Sequence, residues 1–448
     1  MNRLAALALA LGAGLAFGAA ADVHCAEPAA GVDTLALSLA DALARARAAA
    51  PRLRELEALA EAAGADARVA RAARLPALDA RAAYARWSDV PELTLALPGQ
   101  PSRTLFPNLP DNWSARASLA WPLWTGGRLG SGVRAADRLA EAAIADADAA
   151  TAVLAVEAQT VYWDASVARA RQGVLAAAIT AYERHLTDAR NRQRAGMAAR
   201  HEVLAVEVER DRAELARLRA AGDEAVAQAD LRRLLDLPAA TVVVPADSLP
   251  APEGADEDLE ALVAAALARR PERAAAAARA AAAEAAVTGA RAGRLPQVAL
   301  TANYEQADPN RRLAPPREGW EESWDVGVSV SLSVFDGGRI GAQTAAARAR
   351  AEAARQRLAE LDRRLRLEVT VRRQDLLTAR AAAAVAGRAL VAAGEARRVA
   401  GDRYREGLIP SAELLDAENV LLRAGLELTA AQAGVRVATA ALDRAVAR

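Results

Sequence analysis

A glycine-rich motif ahead of a helix is the first feature of this sequence that could carry chemistry. Residues 126–132 read GGRLGSG. Such a loop can cradle a phosphate when it follows a buried, continuously apolar strand and supplies a lysine. Here the preceding segment alternates apolar and polar residues, and the chain contains no lysine. The motif therefore gives nucleotide binding little support.

Metal and nucleophilic sites have equally few candidate residues. The chain contains three histidines, His24, His185 and His201, and a single cysteine, Cys25. No H-E-x-x-H pattern places two histidines on one helix face, and no local motif suggests a Ser-His-Asp arrangement. We therefore interpret the histidines as surface residues and predict no enzyme activity, no cofactor and no metal site.

Charge and composition argue against a nucleic-acid-binding protein. The 448-residue chain has 57 basic and 57 acidic side chains, so it lacks the positive excess that such proteins usually carry. Alanine, leucine and arginine dominate, and only 3% of the residues are aromatic. This composition favours long helices over a varied globular core.

The N-terminal residues resemble an export signal. Arg3 precedes a short apolar run, 4–17, and the three alanines at 19–21 offer an A-x-A cleavage site. We expect residues 1–21 to form the signal peptide. Cys25 then lies close to the mature N-terminus, where it is either a lipid attachment site or a bystander thiol, the second being favoured because no small residues precede it.

The chain is organised as two halves with the same order of motifs, which indicates a tandem repeat. We expect a first repeat over 22–237, a linker over 238–256 and a second repeat over 257–448. The matching motifs are Leu75-Pro76 and Leu295-Pro296, Gly126-Gly127-Arg128 and Gly337-Gly338-Arg339, and Arg194-x-Gly196 and Arg405-x-Gly407. The predicted elements are helices in 38–73, strands 75–87 and 112–124, a long helix 128–191 and a return helix 201–237, then helices in 257–293, strands 295–306 and 323–335, a long helix 339–403 and a return helix 411–447.

The four predicted strands have the alternation and length of membrane-spanning strands. Each runs for about ten residues with period two, enough for a tilted strand to cross a bilayer. No later segment has 18 uninterrupted apolar residues of the kind that indicates a spanning helix. Aromatic residues gather at the segment ends, as at a membrane–water interface. This predicted aromatic girdle comprises Tyr84, Trp113, Trp121, Trp124, Tyr304 and Trp324.

The alternation in the last predicted strand indicates which of its faces would contact lipid. Val330, Leu332 and Val334 would face lipid, and Ser329, Ser331 and Ser333 a water-filled lumen. A soluble four-stranded sheet with a tryptophan-rich core is the alternative. Four strands cannot close a barrel alone, so spanning strands would have to be pooled from several chains, and the pattern by itself allows two copies or three.

The two long predicted helices must pack along neighbouring helices. The run after Arg128 has no proline before about Asn191 and would extend roughly 95 Å. Each long helix is expected to fold back at a hairpin tip, where Gly196 or Gly407 can adopt the left-handed cap conformation. The paired glycines of the GGR motifs would mark the bend from strand to helix; they are Gly126, Gly127, Gly337 and Gly338.

The sequence resembles the TolC family of outer-membrane efflux and secretion channels. The resemblance rests on the order of four features: the signal peptide, the tandem halves, the GGR bends and the hairpin ahead of ELLDAE. The resemblance covers nearly all of the mature chain. It implies a mixed α+β membrane protein in which three protomers, with four strands each, pool a transmembrane β-barrel that continues as a long α-helical coiled-coil barrel in the periplasm. It also implies a Gram-negative outer membrane, contact with its lipid, and a tripartite machine with a periplasmic adaptor (membrane fusion) protein and an inner-membrane transporter.

The resemblance further implies a gate at the periplasmic hairpins. Glu413 and Asp416 look like the family's acidic rings, and Tyr404 and Glu202 match a tyrosine and an acid of its closed state. The family's arginine is replaced by Ile409, which puts the usual link in doubt, and His201 or Arg200 could substitute for it. The tips that would contact the adaptor carry Arg194, Gly196, Arg405 and Gly407.

Two functions remain open from the sequence. The first is an outer-membrane channel of an efflux pump or a type I secretion system, which would conduct drugs, metal ions or polypeptides passively. The second is a soluble periplasmic coiled-coil scaffold with a small sheet that does not enter the membrane.

Overall fold

A computed structural model describes residues 34–95, 99, 101–249 and 257–448. The predicted signal peptide, Cys25 and His24 lie outside these ranges, as does the end of the predicted linker, 250–256.

Eight α-helices account for most of the described chain. Pro51 and Pro271 each open a helix in its first turn, where a missing N–H costs nothing, and so divide the shorter helical stretches in two. The two longest helices have 67 residues each and extend about 100 Å. The helices are α1 (Leu39–Ala49), α2 (Pro51–Ala72), α3 (Arg128–Arg194), α4 (Arg200–Leu235), α5 (Leu259–Arg269), α6 (Pro271–Arg291), α7 (Arg339–Arg405) and α8 (Ser411–Val446).

The strands form one four-stranded antiparallel sheet and two small pairs. The large sheet has the order β2-β5-β7-β8, so its centre joins the two halves of the chain. β1 pairs in parallel with β6, and β3 forms a hairpin with β4; the sequence did not predict β1 or this hairpin. The strands are β1 (Thr34–Leu37), β2 (Ala77–Arg86), β3 (Leu93–Leu95), β4 (Arg103–Phe106), β5 (Asp111–Trp124), β6 (Val242–Pro245), β7 (Gln297–Asp308) and β8 (Glu321–Ser331).

The last strand is shorter than predicted. β8 ends at Ser331, opposite Gln297, the first residue of β7. The residue before it, Pro296, has no N–H to donate to a ladder, so the pairing stops there. The predicted strand continuation to 335 is therefore wrong, and Val334 and Phe335 lie exposed between strand and helix.

The register of the large sheet separates an apolar face from a polar one. Leu119 of β5 is paired with Leu78 of β2 and Ala302 of β7, whereas the adjacent Ser118 is paired with Asp79. Because side chains alternate along each strand, the same face continues across all four strands. The sheet thus has one face of Ala, Val, Leu and aromatic residues and one of charged and small polar residues.

Both faces of this sheet are open in the single chain. Every residue of β2 is exposed, and on the apolar face Val328 and Val330 of β8 are 62% and 68% exposed. β2 and β8 are edge strands, each paired on one side within the described sheet. An open apolar face with two free edges requires something beyond one chain to cover it.

The helical region has its densest core beside the small β1–β6 sheet. Tyr162 and Trp163 of α3 are fully buried there among residues of α1, α4 and β6. The Tyr162 hydroxyl lies 3.0 Å from the carbonyl oxygen of Leu37 and 2.8 Å from Asp247 Oδ2. Burial raises the pKa of Tyr162 to about 12, so the hydroxyl stays protonated and holds the two segments together.

A buried arginine occupies the corresponding joint of the second half. Arg270, between α5 and α6, donates to Glu272 at 3.0 Å and to Glu368 of α7 at 3.3 Å. Arg444 of α8 approaches the same two carboxylates. The equivalent joint between α1 and α2 carries Ala50 instead. This charged network therefore ties α5, α6, α7 and α8 together in one half only.

One described helix is long and apolar enough, by length and composition, to cross a membrane. It is α7, whose most apolar 18-residue window has a mean hydropathy of 1.4 and is 17% buried. The apolar stretch that follows Asp375 contains Arg380 and Arg388 and lies within a helix that packs along α8. We therefore assign α7 to the helical bundle.

Two glycine pairs bend the chain from strand to helix. Gly126 and Gly127 have φ of +62° and +88°, and Gly337 and Gly338 have +65° and +87°. The second glycine of each pair is the N-cap of α3 or α7. A Cβ on Gly126 would lie 2.7 Å from Leu295 Cβ, whereas at Gly337 nothing lies within 4 Å. The first bend is thus closely packed and the second is open.

We predict that Gly126→Ala destabilises the protein more than Gly337→Ala. Both substitutions place a side chain at positive φ, which costs roughly 1–2 kcal/mol. Only Gly126→Ala also clashes with Leu295 and with the carbonyl oxygen of Ala292, at 3.0 Å. Thermal unfolding of the two purified variants, recorded by circular dichroism, measures the difference. Equal melting temperatures would contradict the close packing at the first bend.

Candidate functional site

The hairpin tips are built by the same turn in both halves. At the end of α3, Gly196 has φ of +79°, and the N–H of Met197 donates to the Arg192 carbonyl at 2.8 Å. At the end of α7, Gly407 has φ of +77°, and the N–H of Leu408 donates to the Arg403 carbonyl at 2.9 Å. These bonds satisfy carbonyls that a helix end leaves open.

The predicted tip arginines point outward. Arg194 donates to Asn191 and Arg405 pairs with Asp402, so each bonds within its own helix, and both are exposed. Gly196 and Gly407 are exposed as well. The two tips therefore present charged, solvated surfaces at the end of the helical region.

Tyr404 lies inside the second tip and is held by an arginine from the first. It is 3% exposed and packs against Ile409 and Leu414. The guanidinium of Arg192 lies 4.2 Å from its ring centroid and also donates to the backbone carbonyl of Arg405 at 3.0 Å. Arg192 thus takes the place that the sequence suggested for Arg200 or His201, both of which are exposed.

A buried histidine sits beside this tyrosine. His185 of α3 is 3% exposed, so its interpretation as a surface residue is wrong. Its Nδ1 lies 3.2 Å from Glu418 Oε2, and its Nε2 lies 3.0 Å from Ser411 Oγ. The two ring nitrogens thus each have a hydrogen-bond partner, Glu418 on one side and the Ser411 hydroxyl on the other.

The residues around His185 form one polar cluster where α3 packs against α7 and α8. The ring centroid of His185 lies 5.2 Å from that of Tyr404, and Arg397 of α7 approaches Glu418 at 3.4 Å. Nearby, the Tyr182 hydroxyl donates to Asn419 Oδ1 at 2.7 Å. We name the set formed by His185, Arg192, Arg397, Tyr404, Ser411 and Glu418 the tip cluster. It joins α3 to both α7 and α8.

Burial keeps Tyr404 of the tip cluster and the neighbouring Tyr182 neutral. Burial raises the pKa of Tyr182 to about 12, with a further contribution from the charge of Glu418. Burial also raises the pKa of Tyr404, against the opposing effect of the Arg192 charge. The Tyr404 hydroxyl has no hydrogen bond of good geometry, although Ser411 lies close enough to oppose the rise in its pKa.

The predicted gate acids are not part of this cluster. Glu413 and Asp416 are exposed on α8, on the side away from the buried Leu414 and Glu418. Glu202 is half-buried, and its carboxylate accepts from the backbone N–H of Ala199 at 3.2 Å, which caps the start of α4. The charge of Glu202 contributes to the raised pKa of Tyr404, but no hydrogen bond joins the two among the described contacts. These acids lie near the hairpin tips, and the sequence analysis did not predict the buried cluster behind them.

A signal for the missed histidine was present in the sequence. Ile179, Tyr182, Leu186 and Ala189 recur at helical spacing and are all buried. His185 falls on the same side of α3, between Tyr182 and Leu186. A histidine on the apolar face of a helix calls for a buried partner. That partner, Glu418, is 233 residues away, so no local motif could identify it.

The predicted aromatic girdle lies on the sheet in two groups. Toward the end far from the helices, Tyr84 and Trp113 are paired with ring centroids 4.3 Å apart, and Tyr304 is paired with Trp324. The remaining two, Trp121 and Trp124, lie at the end of β5 next to the helices. All six side chains are at least 39% exposed.

Within the described ranges, no cluster of His, Cys, Asp and Glu side chains is arranged to hold a metal ion.

Comparison with solved structures supports the fold. OprN, described as an outer-membrane channel, superposes with a TM-score of 0.76 at 24% identity, covering 91% of this chain and 89% of its own. VceC, an outer-membrane protein of Vibrio cholerae, superposes with a TM-score of 0.77 at 22% identity, covering 91% of this chain and 95% of its own.

Sequence comparison supports the family. Protein CyaE of Bordetella pertussis is 31% identical over 312 residues, which cover 68% of this chain and 65% of CyaE, so the match spans less than two thirds of that relative. The model of the family described as outer membrane efflux protein matches residues 42–236 and 262–448. These two ranges include both hairpins, all four strands of the large sheet and the tip cluster. The chain therefore belongs to the outer membrane efflux protein family, and its place in the cell is the outer membrane.

Proposed function

We propose that this chain is one protomer of a trimeric outer-membrane channel. In this proposal the channel conducts substrates passively from a periplasmic adaptor and an inner-membrane transporter to the cell exterior, in an efflux pump or a type I secretion system. The observation that carries the proposal is the large sheet, which is apolar on one face, polar on the other and free at both edges.

The free edges of the sheet favour closure with other copies of the chain. A bilayer tolerates no unpaired backbone groups, so spanning strands must close into a barrel. Four strands are too few, because the smallest barrels have about eight. Three copies supply twelve strands, with β8 of one copy pairing with β2 of the next. Membership of the family favours three copies over two.

The aromatic spacing fits the thickness of a membrane. Trp113 and Trp124 lie near the two ends of β5, about 36 Å apart along the strand at 3.3 Å per residue. A tilt of about 40° reduces this to roughly 28 Å, close to the apolar band of about 25 Å in outer-membrane barrels. The side chains between them on that face are Ala115, Ala117, Leu119 and Trp121.

The helices also carry apolar surface that one chain leaves uncovered. On α7, Leu367 is 65% exposed and Val391 is 75% exposed. In a trimer, helices of adjacent protomers would pack there and extend the barrel into a periplasmic tunnel. The equal lengths of α3 and α7, and of α4 and α8, support our inference that the two halves are a tandem repeat.

The hairpin tips would meet the adaptor. They lie about 100 Å from the sheet along the 67-residue helices, and they present exposed charged residues. A periplasmic partner could dock on them without entering the membrane. Family membership disfavours the alternative of a soluble scaffold. A soluble protein would leave this wide apolar sheet face exposed to water, which is unfavourable.

We predict that Val328→Arg strongly reduces the amount of trimer in the outer membrane. Val328 lies on the apolar face of β8, paired with Leu300 of β7. An arginine facing lipid costs up to about 2–4 kcal/mol, the most at the middle of the bilayer. Cell fractionation and unheated SDS gels would measure the SDS-resistant trimer in outer membranes.

The matched control is Ser329→Arg, one residue further on the polar face, which should assemble like the wild type because the new charge meets water. If the protein washed free of membranes, or if both variants assembled equally well, the channel proposal would fail. A soluble sheet would accept an arginine at either exposed position.

The tip cluster would hold the periplasmic end of the tunnel closed. Outward movement of α7 and α8 away from α3 would separate His185 from Glu418 and Ser411 and lift Arg192 from Tyr404. A buried carboxylate that loses a hydrogen-bond partner costs about 1–3 kcal/mol. Opening therefore has to overcome this cost or provide new partners.

We predict that His185→Ala raises the open probability of the channel by roughly tenfold, since it removes one side of that link in the closed state. Single-channel recording in planar bilayers measures the change. His201→Ala is the control, because His201 is exposed at the start of α4 and is not part of the tip cluster. Identical gating of His185→Ala and wild type would show that the cluster does not hold the tunnel closed.

The exposed acids of α8 would form the entrance ring. Glu413 and Asp416 are three residues apart, so they share one helix face, and threefold symmetry would repeat each of them around the axis. Rings of carboxylates attract cations and repel anions.

We predict that the double variant Glu413→Ala, Asp416→Ala has reduced cation selectivity. The reversal potential in a salt gradient across a planar bilayer reports this selectivity. Glu406→Ala serves as the control, because Glu406 lies in the same hairpin but outside α8. Unchanged selectivity in the double variant, or an equal loss in the control, would contradict the ring assignment.

A further inference from the structure

The loop between β7 and β8 folds back over the polar face of the sheet. Asn310 near its start is 2% exposed, and its side-chain amide donates to the carbonyl oxygen of Glu321 and to Ser323 Oγ, both at 3.1 Å. Its amide oxygen accepts from the backbone N–H of Arg312 at 3.0 Å. These bonds fix the direction in which the next two side chains leave the loop.

Two consecutive arginines anchor this loop to different strands. Arg312 donates to Asp325 of β8 at 2.6 Å. Arg311 reaches across the sheet to β5, where its Nε and Nη2 donate to Asn112 Oδ1 at 3.0 and 2.8 Å. The Arg311 guanidinium also lies 3.7 Å from the ring centroid of Trp87, just beyond β2. The loop thus spans the polar face from β8 to β2.

A cavity of about 410 Å³ lies beneath these contacts. It is bounded by the outer ends of β2, β5 and β7 and by the start of the loop. Its charged lining residues are Arg116, Glu305, Arg311 and Arg312, and Trp87 and Asn112 form part of its wall.

The charges around the cavity do not cancel. Arg116 is paired with Glu305 at 2.8 and 2.9 Å, and Arg312 is paired with Asp325. The described contacts of Arg311 are with the neutral Asn112 amide and the Trp87 ring. Its two bonds to Asn112 use only part of its five N–H donors. One guanidinium therefore keeps its charge and free donors at the cavity.

We propose that this cavity binds a carboxylate or phosphate group of a solute in the channel lumen. A planar guanidinium matches these groups with two parallel hydrogen bonds, and stacking on Trp87 holds it in one orientation before the ligand arrives. Arg116 and Arg312 also line the cavity, but their charges are offset by Glu305 and Asp325. The lumenal location rests on the proposed function, whereas the binding site itself does not.

An outer-membrane lipid headgroup carries the same chemistry. Except for Trp113, the strand residues that line the cavity lie on the polar face, opposite the aromatic girdle, so we assign the cavity to a solute. The probe for the test is citrate, which supplies clustered carboxylates, with inorganic phosphate as a second anion.

Isothermal titration of citrate into the detergent-solubilised full chain tests the site directly. We expect Arg311→Gln to weaken citrate binding by roughly tenfold, the effect of losing one charged hydrogen-bond donor. Arg317→Gln is the matched control, because Arg317 lies on the same loop but outside the cavity lining and pairs with Glu321. It should bind citrate like the wild type.

A second variant keeps Arg311 in place. Ala85 lies exposed in the lining, and Ala85→Glu adds a negative charge there without removing any described contact of the loop. It should weaken citrate binding as Arg311→Gln does. Wild-type binding by both variants, equal weakening by Arg317→Gln, or no citrate binding by the wild type would overturn the proposal.

Planar-bilayer recording separates this proposal from the proposed function. Citrate added on the side of the sheet should reduce the current through wild-type channels and have a weaker effect on Arg311→Gln channels. If the protein forms no channels yet binds citrate through Arg311, the proposed function fails and the site stands. If the block is equal in both, the site fails. Recordings with and without anionic lipid separate the sources: weaker citrate block in anionic lipid indicates a headgroup in the cavity and overturns the assignment to a solute.

Discussion

The unpaired edges of the large sheet are the constraint on which the rest of the structure depends. β2 and β8 each have one row of backbone N–H and C=O groups directed away from the sheet. In water such groups can be solvated. The apolar face of the sheet favours a lipid environment, however, and lipid offers no hydrogen bonds, so each unpaired group costs several kcal/mol there. Closure with other copies removes both the edges and the exposed apolar face in one step. In the channel that we propose, a protomer would therefore be stable in the membrane only as part of an assembly.

Closure of the sheet sets conditions on the helices. In the proposed channel each half contributes two strands of the large sheet and one hairpin of long helices. These four helices, α3, α4, α7 and α8, must reach the periplasmic end together. This condition is met because α3 and α7 have the same length, as do α4 and α8. The glycine pairs turn each strand into its long helix with nearly identical φ values. A change at one bend would tilt one hairpin relative to the other and would disturb contacts about 100 Å away at the tips.

Much of this architecture could be predicted from the sequence because its signals are periodic or local. Alternation identified the four strands, the double glycines identified the bends, and the R-x-G motifs identified the tips. The features that sequence reasoning missed depend on distant partners. β1 is a strand only because Val242–Pro245 pairs with it, and β8 stops at Ser331 because Pro296 ends its partner strand. The acids near the tips carry a local sequence signal, whereas burial of His185 depends on Glu418, far away in the chain.

Buried and half-buried carboxylates are paired with cationic or hydrogen-bonding partners at both ends of the molecule. At the tips, Glu418 is matched by His185 and Arg397, and on the sheet Glu305 is matched by Arg116. In the proposed channel such pairing would lower the net field along the path, so a passing solute would meet few uncompensated charges. In the proposed channel the exceptions would carry the selectivity. Salt in a water-filled tube limits the field of each unpaired charge to about 10 Å, so each of them would act locally. Glu413 and Asp416 at the tips and Arg311 on the sheet are exceptions of opposite sign. A solute that bears both a cationic and an anionic group would be attracted at each end in turn.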